Sequence, residues 1–558
     1  MQKFGVLTSA LALTLTGLAG FSASPAGASG YQKAHAGGTL TLLASTAGGT
    51  LDPQVNYTLQ YWQLYQATYD GLVTFQKVNG QASFTVVPDL ATALPKITNG
   101  GKTYTFTLRK GIKFSNGQTV TVNDVKASFV RLFKVSNPNS GSWYNAIAGG
   151  DACVATPTSC TLSGLTVNAA TNTVTFNLAN VDPEFIDQLA VPFAAIVPAG
   201  TPTKDEGSTP VPGTGAYTFK SYNPASSLVM VRNPYFKVWN AKAQPQGYPN
   251  KIVEKFGTTV ESEVTAVENG QADWVFDPLP ADRLGEISTK YASQLTLHQL
   301  TADWYLPMNT NIAPFNNLKA RQALNYAINK KNIVSLYGGT KLANPTCTIL
   351  PKGFPGHVDF CGYTKGGGSR YNGPDLAKAK ALVAASGTKG TVVKLVATND
   401  AVNSSVAQYI VSVLNQIGYK ASVVLQSANI QFNYIQNTNN KVQISLTQWY
   451  QDYPAPSDFI NVLLGCSTFH KGSDNSINIA GFCNAGIDAQ IKAAETLSIT
   501  DPKAANAKWG QIDKTIMANY APWVPLINPK LTDFVSKRVG NYKFSLEFYM
   551  YVDQLWVK

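Results

Sequence analysis

Asp452 stands in the stretch QWYQDYPAPSDF, residues 448–459, among aromatic residues and prolines. Only 14% of the chain is charged, so a carboxylate in so apolar a setting has two readings. It is a turn residue bonded to nearby backbone N–H groups, or a desolvated charge whose partner is a cation brought by a ligand. Other chemistry is thin. The four histidines, His35, His298, His357 and His470, are far apart in the chain. No H-E-x-x-H and no G-x-S-x-G occurs, which leaves a secreted hydrolase without a motif. Zinc sites want closely spaced Cys/His pairs, and none is present. No metal and no cofactor is expected.

The six cysteines form three locally spaced pairs: Cys153 and Cys160, Cys347 and Cys361, Cys466 and Cys483. Sequence alone does not fix the connectivity of six cysteines; local pairing is the expectation for an oxidising compartment. The N-terminus agrees with such a compartment. Lys3 precedes a short apolar run, 6–21, and Ala26-Gly27-Ala28 offers a cleavage site, predicting an export signal over 1–28. Leu18-Ala19-Gly20 is followed by Phe21 rather than Cys, so the signal has no lipobox cysteine. No later run is long and apolar enough for a membrane span, and the mature chain is expected to be a soluble monomer in the periplasm or at the cell surface.

The chain has 558 residues, 44 Lys+Arg against 32 Asp+Glu, and a net charge of +12. The surplus comes from scarce acids. The bases are scattered, without the dense stripe of a nucleic-acid footprint, so no nucleic-acid partner is expected. A hydrophobic fraction of 44% is ample for large cores.

The elements that must position Asp452 show in the periodicity. Gly38–Ser45 reads as a first strand, followed by an aromatic-rich stretch over 51–73 that contains Asn56, Tyr57 and Trp62. Tyr104, Phe106 and Leu108 alternate with polar neighbours as in a one-sided strand. Asn116-Gly117 marks a turn, and Asn123-Asp124 precedes a helix to Phe133. Two strands flank 169–172. The Pro/Gly-rich 209–215, TPVPGTG, is a crossing between regions. Ala320, Ala323, Leu324, Ala327 and Ile328 fall on one helical face, and so do Val406, Tyr409, Ile410, Val413, Leu414 and Ile417, with Gly418 as the stop. Strands are expected over 392–397, 421–425 and 441–447. This strand–helix–strand order argues for an open α/β sheet, whose ligands bind beyond the carboxyl ends of its strands. Residues 449–452 lie just past such an end.

Several segments, in order, resemble the extracellular solute-binding proteins of the dipeptide/oligopeptide/nickel class, family 5, which serve ABC importers. The resemblance rests on 87–133, with Tyr104-Thr105-Phe106, Leu108-Arg109, Gly111, Lys113-Phe114, Asn116-Gly117 and Asp124-Val125; on 165–198; on PVPGTGAYTF with Arg232-Asn233-Pro234-Tyr235; and on Pro314-Phe315 with Ala320-Arg321-Gln322-Ala323-Leu324 and Tyr326-Ala327-Ile328. It implies a two-lobed α/β periplasmic-binding-protein-like fold of type II, closing by a hinge on a ligand cleft. Lobe I would take 36–304, including an inserted subdomain at about 64–200, lobe II 305–525, and 526–558 would return to lobe I. Relatives that bind peptides carry Trp-x-x-Asp at this strand end, with the carboxylate on the peptide's ammonium, and Trp449 to Asp452 has that spacing. The following Tyr453-Pro454-Ala455-Pro456 departs from the family, which commonly has Asp where Ala455 stands. Some dipeptide binders carry a local disulfide where Cys466 and Cys483 lie. Asn56, Tyr57, Trp62, Trp304, Tyr305, Tyr450 and Asp277 complete the expected ligand-binding set; Arg370, in KGGGSRYNG, reads as a solvated loop charge. The expected function is capture of a peptide-like solute for a membrane permease. An oligosaccharide stacked on the Trp and Tyr side chains is the alternative.

Overall fold

The computed structural model describes residues 33–135, 143–280, 282–474 and 476–558; the expected signal, 1–28, lies outside them. The first strand, Thr39–Ala44, buries Leu40 and Leu42 on one face and Leu43 on the other, as alternation requires. It lies parallel between Lys251–Phe256 and Trp274–Val275, and the sheet is extended by antiparallel Ser227–Arg232 and Tyr217–Asn223. A four-stranded antiparallel sheet, ordered Lys96–Thr98, Thr103–Thr107, Thr173–Asn177, Leu165–Asn168, shares one continuous hydrophobic core with it. The helix Val122–Lys134 packs into that core through Phe129, whose ring meets Phe176 at 4.9 Å. It starts earlier than Asn123-Asp124 suggested. Thr121 is the cap and Asp124, at the third helical position, accepts from the Thr121 backbone N–H at 2.8 Å, a capping box.

The second half has two further sheets of three or more strands. One is parallel, ordered Lys420–Gln426, Val392–Thr398, Ile444–Ser445, with helix Ala401–Ile417 crossing between its first two strands in sequence. Gly418 ends that helix at φ 112°, a backbone shape that favours glycine. The other sheet is antiparallel, ordered Leu295–Gln299, Trp523–Phe534, Ala302–Pro307, Thr447–Tyr450, with Ala343–Pro345 also on the long central strand. The expected strand over 441–447 is thus divided. Ile444–Ser445 pairs with Leu395 and Val396, and Thr447–Tyr450 pairs with 302–305. The chain changes sheet at Leu446, and because 444–447 are all buried, the alternating pattern does not reveal the switch. The hydrophobic clusters separate along the chain. The largest buries residues within 40–274 and 535–555, and two others bury residues within 304–527, one of them touched by Phe84.

All three local cysteine pairs, Cys153–Cys160, Cys347–Cys361 and Cys466–Cys483, are disulfides. The TPVPGTG passage lies against the helix Leu59–Thr68, where a Cβ at Gly213 or Gly215 would overlap the carbonyls of Thr68 or Ala67.

The loop after the first strand is fixed by a buried ion pair. Arg131 reaches Asp52 with both terminal nitrogens, Nη1 to Oδ1 at 3.0 Å and Nη2 to Oδ2, and both side chains are nearly inaccessible. Removing one partner of such a pair strands the other charge in the core, at a cost of about 3–5 kcal/mol. Arg131→Met is therefore expected to lower unfolding stability by about that amount in a denaturant titration; a loss under about 1 kcal/mol would show that water reaches Asp52.

Candidate functional site

A cavity of about 470 Å³ opens between the loop after the first strand and the end of the strand Thr447–Tyr450. Its volume lies in the range of small-molecule sites. Its wall is mostly apolar and rich in rings, with Tyr57, Trp62, Trp274, Phe276, Tyr450 and Tyr549. Three carboxylates line it: Asp452, Asp533 and Glu547.

Each wall is built by local hydrogen bonds. Asp52, held by Arg131, closes a turn in which its carbonyl accepts from the N–H groups of Val55 and Asn56. Asn56 uses its whole amide. Its Nδ2 donates to the carbonyls of Gly48 and Thr50 at 2.8 and 2.7 Å, and its Oδ1 accepts from Thr58 N and Oγ1 at 2.8 and 2.7 Å. Its backbone carbonyl receives the Trp62 indole N–H at 2.8 Å. The result is Tyr57 presented to the cavity, its ring 5.4 Å from both Trp62 and Phe193. On the opposite wall, Asp458 Oδ2 accepts the backbone N–H of Asp452 at 2.9 Å and the Trp449 indole N–H at 3.4 Å. The Tyr57 hydroxyl donates to Asp452 Oδ1 and spans the two walls.

Asp452 and Tyr57 are open to the cavity, yet protein surrounds that cavity. Desolvation pushes the Asp452 carboxyl up to about 6, against the downward pull of the Tyr57 hydrogen bond. Desolvation, followed by the charge of Asp452, raises Asp458 well above the ordinary range. Glu547 is raised by burial and then by Asp187, Asp458 and Asp452, with the Gln451 amide donating to it. Asp533 accepts the Trp274 indole N–H at 3.0 Å and the Tyr542 hydroxyl. Among the described residues, no cation lies within ion-pair range of Asp452 or Glu547.

Of the residues expected at the site, Asp452, Tyr57, Trp62 and Tyr450 line the cavity. The others lie elsewhere. Asn56 is the buried brace of the turn. Trp449 and Tyr450 are consecutive in a strand, so only one can face the cavity; Trp449 packs against the core on the far face. Trp304 sits behind Tyr450, its ring 4.8 Å from Tyr337, and Tyr305 stacks on Trp523 at 3.8 Å. Asp277 accepts from Ser45 N and Oγ at 2.6 and 2.9 Å. Arg370 lines a separate cavity with Lys352 and His357. Glu547, Tyr549, Asp533, Trp274 and Phe276 were missed. Glu547 and Tyr549 come from the C-terminal segment SLEFYMY, which carries no local pattern that marks it as part of a site.

Residues 85–471 match the family described as bacterial extracellular solute-binding proteins, family 5. The chain belongs to that family. It is similar to heme-binding protein A of Haemophilus influenzae, 26% identical over 502 residues that cover 86% of this chain and 84% of the relative. It is 25% identical to the glutathione-binding protein GsiB of Salmonella choleraesuis over 461 residues, 80% of this chain and 81% of that one. The solved structure of clavulanic acid biosynthesis oligopeptide binding protein 2 superposes with a TM-score of 0.83 at 22% identity, over 94% of this chain and 96% of that one. The fold of this family-5 solute-binding protein is accordingly the two-lobed α/β architecture. None of its described helices is long and apolar enough to cross a membrane.

The two walls meet again beside the cavity, where the Ser457 hydroxyl donates to Glu184 Oε1 at 2.6 Å with both side chains buried. Acids gather there. Burial and then Asp182 push Asp187 and Glu495 up to about 7. Elsewhere, burial raises Glu254 to about 8 and Asp513 to about 6. Unfolded carboxyls titrate near 4, so each group holds its proton more tightly in the folded chain. Their stabilisation is complete below about pH 4 and is lost as pH rises through 6 to 8. His298, lowered to about 4 by burial, and Lys330, lowered to about 7 by burial, act in the opposite sense, but the carboxyls outnumber them. The thermal midpoint without added solute is expected to be higher at about pH 5.5 than at about pH 8. An equal or lower midpoint at the acidic pH would mean that these carboxyls ionise in the fold without penalty.

Proposed function

We propose that this protein is the extracytoplasmic receptor of an ABC importer, binding a peptide-like solute in the cavity between its lobes and delivering it to a membrane permease. In this reading residues 36–304 with 526–558 form lobe I and 305–525 form lobe II, joined where the strands Ala302–Pro307 and Trp523–Phe534 pass from one to the other. Residues 1–28 direct export. The names of relatives that bind glutathione and di- or tripeptides support the solute class.

The observation that carries the reading is Asp452: a desolvated carboxylate at a strand end, facing the cavity, held by Tyr57 and backed by Asp458, with no cation of the described protein in ion-pair range. A ligand ammonium completes it with a charge-assisted bond. The ring-rich wall receives apolar side chains, and it also favours the second reading, a sugar stacked on Trp62, Trp274 or Tyr450.

A thermal-shift screen of the mature protein against peptide and oligosaccharide pools separates the two, because a bound solute raises the midpoint by mass action. Peptides with a free amino terminus are expected to raise it. Asp452→Asn is expected to weaken them by about 2–5 kcal/mol in calorimetric titration, and N-acetylated peptides far less. A midpoint moved by sugars and not by peptides refutes the peptide reading. Equal affinity of Asp452→Asn and wild type for free peptides returns Asp452 to a turn role.

A further inference from the structure

The charge of the cavity has one sign. Among the described residues lining it, Asp452, Asp533 and Glu547 are acidic and none is Lys, Arg or His, in a chain whose net charge is +12. Asp458 and Asp187 stand behind Asp452 and Glu547, close enough to act on them. The hydrogen bonds that reach the lining carboxylates come from neutral donors: the Tyr57 and Tyr542 hydroxyls, the Gln451 amide and the Trp274 indole. Such donors satisfy lone pairs and bring no positive charge to the cavity. The imidazole nearest Asp533, His298, is stacked 3.5 Å from Phe544 and kept neutral by burial. Arg370 and Lys352 face a different cavity.

Of the neutral donors that could hold an anion, the two indoles are already engaged. The Trp62 and Trp274 indole N–H groups donate to Asn56 O and to Asp533. The helix Leu59–Thr68 brings its N-terminus to the wall at Thr58 and Leu59, but a helix terminus amounts to about half a unit charge, against three carboxylates.

We infer that the cavity is selective for cationic solutes that present no free carboxylate inside it, with an ammonium or guanidinium group held between Asp452 and Glu547 against the ring-lined wall. The inference rests on the reading of this cavity as the solute site and narrows it: of peptide-like solutes, those blocked at the carboxyl end, or ending in a cationic group, are the preferred class. The Trp62, Tyr450 and Tyr549 rings favour the same charge, because aromatic faces attract cations. A zwitterionic dipeptide would instead bring its carboxylate into the field of the three acids with no base to receive it.

Calorimetric titration of the mature protein with Phe-Arg amide, Phe-Arg and Phe-Glu tests this. The amide is expected to bind about tenfold or more tightly than the free acid, and Phe-Glu more weakly still, given unit charges several ångströms apart in a partly desolvated site. Glu547→Gln keeps an acceptor for the Gln451 amide and removes the charge. It is expected to reduce the preference for the amide severalfold, with a cooperative thermal transition showing that the variant is folded. Phe-Arg binding as tightly as its amide overturns the inference and leaves the peptide reading standing, as does a Glu547→Gln variant with undiminished preference. Failure of both Phe-Arg forms to bind, with sugars shifting the midpoint, removes the peptide reading and this inference with it.

Discussion

A carboxylate taken out of water must find compensation, and at Asp452 the fold supplies only part of it. The Tyr57 hydroxyl donates to its Oδ1 on one side, and its own backbone N–H donates to Asp458 behind. Both ends of the Tyr57–Asp452 bond are prepared far from it. Tyr57 is aimed by a turn that Asp52 closes, Asn56 braces and Arg131 anchors. Asp452 is aimed by the strand Thr447–Tyr450, which is pinned to 302–305. The buried Asp52–Arg131 pair and the half-buried Asp452 thus play opposite parts. In the first, charge is cancelled inside the protein and the result is rigidity. In the second, the carboxyl is oriented but meets no cation among the described residues, and in the proposed reading a ligand cation finds its partner already in place.

The parts legible in the sequence are those governed by local periodicity. The faces of 318–327 and 401–417 follow the helical repeat, the strands over 103–107 and 173–177 follow strict alternation, and Gly418 ends its helix where a left-handed residue is needed. Asp452 was legible because a charge in an apolar, ring-rich segment is uncommon. Its neighbours were less so. Trp449 and Tyr450 have similar side chains, and only the pairing partner decides which of the two faces the cavity. Asn56 is polar beside a site, but polarity there serves the turn. Glu547 lies almost a hundred residues after Asp452, in a segment brought to the cavity by the pairing of 544–545 with 549–550 and the packing of the C-terminal tail on the first core. No local pattern encodes such an approach. The strand expected over 441–447 was divided for a related reason: two sheets share one alternating run.

The acidic cavity and the basic chain act at different ranges. Ions screen charges over about 8 Å at physiological ionic strength, so the net charge of +12, dispersed over the chain, repels an approaching cation only weakly. The carboxylates of the cavity act at contact and among low-polarity walls, where the effective dielectric is lower and the same charges count for more. In the proposed reading the local term therefore outweighs the global one for a solute that has entered, and discrimination by charge takes place inside the cavity rather than on approach. It is also tied to closure. Tyr57–Asp452 and Ser457–Glu184 already link the two walls, so a solute favours the closed arrangement only through contacts it makes better there. In the proposed reading a cation between Asp452 and Glu547 meets that condition, because it touches an acid from each wall at once. A ring stacked on one wall alone does not.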